Sequence, residues 1–282
     1  MDGDPSALQA DWLGACRRST ERLRAMLAAA PSTAERVLET GTVGSGGDRT
    51  LVIDAAAEEI VLDELSRLRD QGHRFCAVSE ERGMVDFGGS DVRVVIDPID
   101  GSLNAKRGLP HYSVSIAVAA GTTAAEVEFG YVYDFGPGEE WWARRGGGAW
   151  LNGSRLDPRA TERVDGEGRL ELLGLESAEP ELIQAVIDRL VGRAYRVRAI
   201  GTIAVTLCQV AAARLDGMVT LRNSRSVDVA AGTLIVLEAG GLVSFTRSDN
   251  PPLGLVLDAQ ARSPVVAARS QRSLHALEEV VR

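Results

Sequence analysis

The chain has 282 residues, 45% apolar and 25% charged, with 31 basic against 40 acidic side chains and a net charge of −9. That length suits one large domain or two packed halves with a deep core, and the composition excludes a disordered or fibrous protein. The acidic balance and the lack of a long basic run argue against a nucleic-acid partner, and no stretch approaches the ~18 uninterrupted apolar residues that would span a membrane.

Trp12, Cys16, Leu23, Met26, Leu27 and Ala30 recur at helical spacing before Pro31 and predict a first amphipathic helix. Residues 41–47 (GTVGSGG) are Gly-rich, but no Lys-Ser/Thr follows and no strong strand precedes, so they read as a mobile loop rather than a phosphate cradle. Ile60, Val61, Leu65 and Leu68 share one face and predict a helix over 54–69 with Asp54 near its N-terminal end. The short apolar runs 75–78 and 92–96 read as buried strands, and both end in acids: Glu80 and Glu81 after the first, Asp97 after the second.

Residues 112–120, 127–135 and 139–143 predict antiparallel strands, the last two joined by Gly136-Pro137-Gly138. Trp141 and Trp142 fall on opposite faces of the third, so one is expected either exposed or at a subunit contact. The polar stretch 157–169 marks an expected boundary between an N-terminal half, 1–160, and a C-terminal half, 161–282. In the second half helices are predicted at 179–190, 203–214, 228–239 and 270–281, with strands near Leu170, Gly217, Leu242 and Val265. Cys16, Cys76 and Cys208 are odd in number, far apart and without a C-x-x-C pair, which fits a reducing compartment. The acidic start MDGDPSALQADW lacks the layout of a signal peptide, so a cytoplasmic protein is expected.

Most of the chemistry lies in Asp97-Pro98-Ile99-Asp100-Gly101-Ser102-Leu103-Asn104. Two carboxylates three positions apart on a tight turn can converge on one point. With Glu80 from another strand end they form an all-oxygen donor set suited to magnesium. Gly101 admits a close ligand, and a helix starting near Ser102 would turn free N–H groups toward a phosphate. Taken singly the acids read more blandly, Asp97 and Asp100 as turn residues, Glu80 as a solvated strand end and Asp54 as a helix cap. Their co-occurrence favours a site.

Together AVSEE (77–81), DPIDGSLN (97–104) and VDVAAGTLIVLEAGG (227–241) resemble, in order and interval, the three signature regions of the inositol monophosphatase family, which includes archaeal-type fructose-1,6-bisphosphatases. GDRTLVIDAAAEE (47–59), EFGYVYDFGPGEEWWARRGGGAWLNG (128–153) and RAIGTIAVTLCQVAAARLDG (198–217) also resemble family segments, so the likeness runs from about residue 47 to 268. It implies a layered α/β sugar-phosphatase fold of alternating helix and sheet layers (αβαβα) and a phosphomonoesterase using two or three Mg2+ ions.

Carried over residue by residue, the resemblance implies a first magnesium on Glu80, Asp97 and the Ile99 carbonyl, and a second on Asp97, Asp100 and Asp228. The Gly101 and Ser102 amides would hold the phosphate. Asp54 and the Ser102 hydroxyl, with Glu80, would orient or deprotonate the metal-activated water. A small phosphorylated sugar or polyol as substrate and a homodimer are implied as well.

The sequence departs from the family in having Ser102 for Thr, Val227 for Trp, and no match near Gly47 for a common loop lysine. An acid several positions before the last metal-binding Asp is replaced by Leu221, within TLRNSRSV (220–227), and Arg222 and Arg225 stand beside it. Two guanidinium groups there would favour a second anionic group on the substrate. The expected substrate is inositol 1-phosphate. Fructose 1,6-bisphosphate is the alternative or a second substrate, and adenosine 3',5'-bisphosphate a further one. A non-catalytic regulatory binding protein is the reading from another class, and the intact set Asp54, Glu80, Asp97, Asp100, Ser102 and Asp228 argues against it. His73, His111 and His275 lack partners at ligand spacing and read as surface or packing residues.

Overall fold

A run of small and apolar residues such as SVSIAVA, residues Ser113–Ala119, has no strongly polar face to turn toward water and is stable only where both sides of its sheet are covered. A computed structural model describes residues 5–31, 33–43, 49–248, 250 and 252–282 and contains two such sheets. The core of the predicted Gly-rich loop, residues 44–48, lies outside the described residues. Its flanks form a short hairpin, Glu39–Val43 with Arg49–Leu51.

The larger sheet has seven strands in sequence order: β1 (Phe75–Ser79), β2 (Gly83–Asp100), β3 (Ser113–Ala119), β4 (Val127–Asp134), β5 (Glu139–Arg144), β6 (Gly148–Leu151) and β7 (Ser154–Arg155). One face packs on α1 (Trp12–Ala29) and α2 (Val52–Asp70), with Trp12, Leu23, Leu65, Phe75 and Ile96 in a shared core. Behind the other face lie α5 (Ile203–Ala211) and α6 (Ser226–Glu238), which pack in turn on the second sheet. That sheet runs in the order β9 (Ala194–Arg198), β8 (Leu170–Glu176), β10 (Gly217–Thr220), β12 (Val265–Ala268), β11 (Leu242–Phe245), and its outer face is closed by α4 (Pro180–Leu190) and α7 (Gln271–Val281). The layers are therefore helix, sheet, helix, sheet, helix, as expected. Residues 226–236 of α6 are buried on every side, which is why its sequence lacks amphipathic spacing. Gly130 of β4 lets that helix approach, since a Cβ there would lie 2.7 Å from the Ala231 carbonyl oxygen.

Two details of pairing place the acids. Ser79 of β1 is opposite Ile96 of β2 where the two run parallel, so Glu80, the first residue past β1, comes beside Asp97 of β2. Further on, Asp97 pairs with Ser115 but Asp100 with Ser113, three residues against two. A regular strand would turn positions i and i+3 to opposite faces; the extra residue of this bulge brings both aspartates to the same one.

The predicted helices and strands are present within about three residues of their expected ends, the helix from 203 stopping at Ala211 instead of 214, except that the strand expected over 92–96 runs from Gly83 to Asp100. Strand β9 was not predicted: it is a sheet edge whose Tyr195, Arg196, Val197 and Arg198 are exposed on both faces, so no burial pattern marks it. Trp141 is fully buried, whereas Trp142 is half-buried and stacks on Trp150 of the neighbouring strand with centroids 5.3 Å apart. Among the described residues no helix is long and apolar enough to cross a membrane.

Candidate active site

Asp54 lies in the first turn of α2, Glu80 just past β1, Asp97 and Asp100 across the bulge of β2, and Asp228 in the first turn of α6. The five acids predicted from sequence are thus brought together from both halves of the chain. Asp97, Asp100 and Asp228 are all buried.

Their oxygens are not all satisfied. Asp97 Oδ1 accepts the Ile99 N–H at 3.0 Å, but Asp97 Oδ2 and Asp54 Oδ1 are buried with no hydrogen-bond partner. Burial, followed by repulsion from Glu80, Asp100 and Asp228, pushes Asp97 well above the usual carboxylate range. Burial and then Glu80 and Glu81 raise Asp54 to about 7. Burial and then Asp228 raise Asp100 to about 7, although the Thr202 hydroxyl and the Ala204 N–H, the latter at 2.8 Å, stabilise its charge. Glu80 is raised mainly by burial, against the pull of Arg225. Buried acids that repel one another, two with bare oxygens, are the donor set a divalent oxygen-loving cation neutralises.

As the side chains stand, no three His, Cys, Asp or Glu groups among the described residues converge closely enough to hold a metal ion. Arg225 stands between two of them. Its guanidinium reaches Glu80 through Nη1 and Asp228 Oδ1 through Nη2 at 2.9 Å and Nε at 3.1 Å. Its backbone N–H is taken by Asp228 Oδ2 at 3.0 Å, half of a helix capping box. Arg222, by contrast, is exposed and pairs with Glu179 at 2.5 Å. Of the two arginines expected near substrate, only Arg225 lines the cleft beside the acids. This cleft of about 520 Å3 is bounded by Asp100, Leu103, Glu179, Thr202, Arg225 and Asp228.

Gly101 precedes α3 (Ser102–Arg107) with φ of 87°, and a Cβ there would meet the Gly201 carbonyl oxygen at 3.0 Å and the His111 carbonyl oxygen at 3.2 Å. Only glycine fits this turn without strain. The Ser102 hydroxyl lies 3.4 Å from the Ile99 carbonyl oxygen, so the serine and the predicted backbone ligand face each other.

Several supporting residues escaped the sequence reading. Glu58, buried on α2, accepts the Ser79 hydroxyl and the N–H groups of Glu81 at 3.3 Å and Arg82 at 3.1 Å, which fixes the turn carrying Glu80. Asn104 Nδ2 donates to the carbonyls of His111 at 2.9 Å and Ile200 at 2.8 Å, tying α3 to the C-terminal half. Glu176 takes the N–H groups of Ile200 and Gly201 and so shapes the loop that delivers Thr202 to Asp100. An acid on the apolar face of a predicted helix, as at Glu58, was the available signal. The histidines stay outside the site: His111 pairs with Asp134 at 2.7 Å and His275 with Gln271 at 2.8 Å.

The acid cluster lies at the ends of paired strands and faces a short helix across a glycine turn within an αβαβα sandwich, an arrangement compatible with a phosphatase. The sequence model of the inositol monophosphatase family matches residues 14–281, and the chain belongs to that family. A fructose-1,6-bisphosphatase/inositol-1-monophosphatase of Thermococcus kodakarensis is 36% identical over 237 residues, covering 84% of each chain. The Nus factor SuhB of Pasteurella multocida is 38% identical over 205 residues, 72% of this chain and 73% of its own. Among solved structures, the MJ0109 gene product, described as an inositol monophosphatase-fructose 1,6-bisphosphatase, superposes with a TM-score of 0.79 at 26% identity, covering 96% of this chain and 99% of its own. The protein is accordingly a phosphatase, of a family that is generally metal-dependent and acts on phosphorylated sugars or polyols.

Proposed function

We propose that the protein hydrolyses inositol 1-phosphate or a closely similar polyol monophosphate in a magnesium-dependent reaction. The observation that carries the metal requirement is the pair of bare buried oxygens, Asp97 Oδ2 and Asp54 Oδ1, within a cluster of mutually repelling acids. Glu80, Asp97, Asp100, Asp228 and the Ile99 carbonyl would hold magnesium, two or three ions in all. Bound there, magnesium would neutralise acids and phosphate alike and lower the pKa of the attacking water.

The chain's own residues do the rest. The Gly101 and Ser102 amides hold the phosphate oxygens, and Gly101 keeps the backbone free to come close. The Ser102 hydroxyl orients the water. Asp54, beside these acids with one carboxylate oxygen bare, takes its proton. Residues 1–160 supply Asp54, Glu80, Asp97 and Asp100, and 161–282 supply Asp228; a homodimer is the assembly we propose.

Fructose 1,6-bisphosphate is the second reading, favoured by the relative named for both activities. Phosphate release from inositol 1-phosphate, fructose 1,6-bisphosphate and adenosine 3',5'-bisphosphate, with magnesium and with EDTA, tests both readings. We expect magnesium-dependent release, fastest with inositol 1-phosphate. No magnesium-dependent release from any of the three would overturn the proposal.

A further inference from the structure

The acid cluster has two electrostatically different sides. Asp97 and Asp54 present bare oxygens, whereas Glu80 and Asp228 already share a cation. That cation is the Arg225 guanidinium, whose side chain is only 19% exposed and whose Nη1, Nη2 and Nε are all engaged by these two acids. The geometry requires arginine: a planar fork reaches a carboxylate on either side, while a lysine ammonium is a single point charge. The two acids come from different halves of the chain, so the guanidinium also bridges the halves. Glu80 and Asp228 are two of the groups the proposed magnesium would use.

We propose that Arg225 is a positioning residue that acts as an internal counter-cation: it holds Glu80 and Asp228 together in the metal-free protein, and magnesium must draw both acids away from it. This rests on the metal reading above. Arg225 therefore stabilises the empty site and weakens the filled one, because a fixed positive charge beside the cleft repels a divalent cation and competes for its ligands. A residue that merely braced the fold would act with one sign in both states.

The test measures both states. Titration calorimetry of Mg2+ into wild type and Arg225→Met should show at least about tenfold tighter binding by the variant, while its metal-free melting temperature falls below that of wild type. Arg225→Lys, which keeps the charge but not the fork, should shift both quantities in the same directions and less far. Unchanged or weaker magnesium binding by Arg225→Met overturns the inference. If that variant does not fold, the wild-type protein still decides: the Arg225 Nε–H resonance, assigned by its loss in Arg225→Lys, should move as Mg2+ is added, and a resonance that stays put overturns it. If wild type binds no magnesium by either measurement, the proposed function fails instead, so the two failures are distinguishable.

Discussion

Two sets of acids with buried carboxylate oxygens look alike in sequence and differ in what surrounds them. Asp216, fully buried in the C-terminal half, accepts the N–H of Arg163 at 2.8 Å through one oxygen and that of Leu172 at 2.8 Å through the other. Glu176 accepts two N–H groups and the Thr206 hydroxyl. Asp97 and Asp54 each leave one oxygen with nothing. An acid whose acceptors are filled by backbone donors is part of the scaffold, and removing it leaves those donors unpaired. An acid with a bare buried oxygen costs stability in the metal-free state, and its partner has to come from outside the chain. Satisfaction rather than burial separates the two sets.

The sharpest way to break this comparison is to neutralise one member of each. Asp97→Asn removes a charge that should touch two cations, so the rate should fall on the order of 10³-fold or more, about 4 kcal/mol of transition-state stabilisation. Because the lost charge was repelled by its neighbours, the melting temperature in EDTA should rise. A variant that hydrolyses inositol 1-phosphate normally, or that melts lower than wild type, would place Asp97 with the scaffold. Asp216→Ala should do the reverse: two unpaired N–H groups cost about 3 kcal/mol of stability, measured by urea unfolding, while kcat of the folded enzyme is unchanged. A loss of kcat without loss of stability would contradict the division.

Titration sharpens the same contrast. Asp54 and Asp100 sit at about 7 in the folded protein, above their ordinary range near 3.8. A raised carboxyl pKa means the native state binds more protons than the unfolded one between roughly pH 4 and 7, so stability falls as pH rises through that window and levels off above it. In EDTA the wild-type protein should melt higher at pH 5 than at pH 8, and Asp100→Asn should flatten the difference. A wild-type slope no steeper than that of Asp100→Asn would show that Asp100 keeps its ordinary pKa.

Much of this was legible because it is local. Val92–Ile96 followed by DPIDGS announces a strand running into a charged turn, and residues 113–119 announce a strand covered on both faces. What the chain alone could not give is the outcome of pairing. The bulge that turns Asp97 and Asp100 to one side exists only against Ser113 and Ser115. Glu80 meets Arg225 across 145 positions of sequence, and Thr202 meets Asp100 across 102. The Arg225-Ser226-Val227-Asp228 spacing did carry a signal, since residues three apart at a helix start are neighbours, and it would have directed Arg225 to an acid rather than to substrate. Strand β9 was hidden for the opposite reason: an edge exposed on both faces has no apolar alternation to read.

The smallest expected effect concerns the two arginines next to Leu221, which differ as the acids do. Arg225 is enclosed by two carboxylates, whereas Arg222 is 63% exposed and its Glu179 partner 44% exposed, so their pair contributes about 0–1 kcal/mol. Glu179 also borders the cleft. A second phosphate on the substrate would have to take Arg222 from Glu179, and its gain is the difference between two charge-assisted contacts rather than the whole of one. Arg222→Ala should therefore raise KM for fructose 1,6-bisphosphate only about two- to threefold, a shift well under 1 kcal/mol. Glu179→Ala, which frees the guanidinium and removes a repelling charge from the rim, should lower that KM by a similar factor. Inositol 1-phosphate has no second anionic group, so its KM should not respond to either change. A tenfold rise for Arg222→Ala would make Arg222 a direct substrate contact. Equal shifts for both substrates would show that this rim shapes the cleft without reading charge.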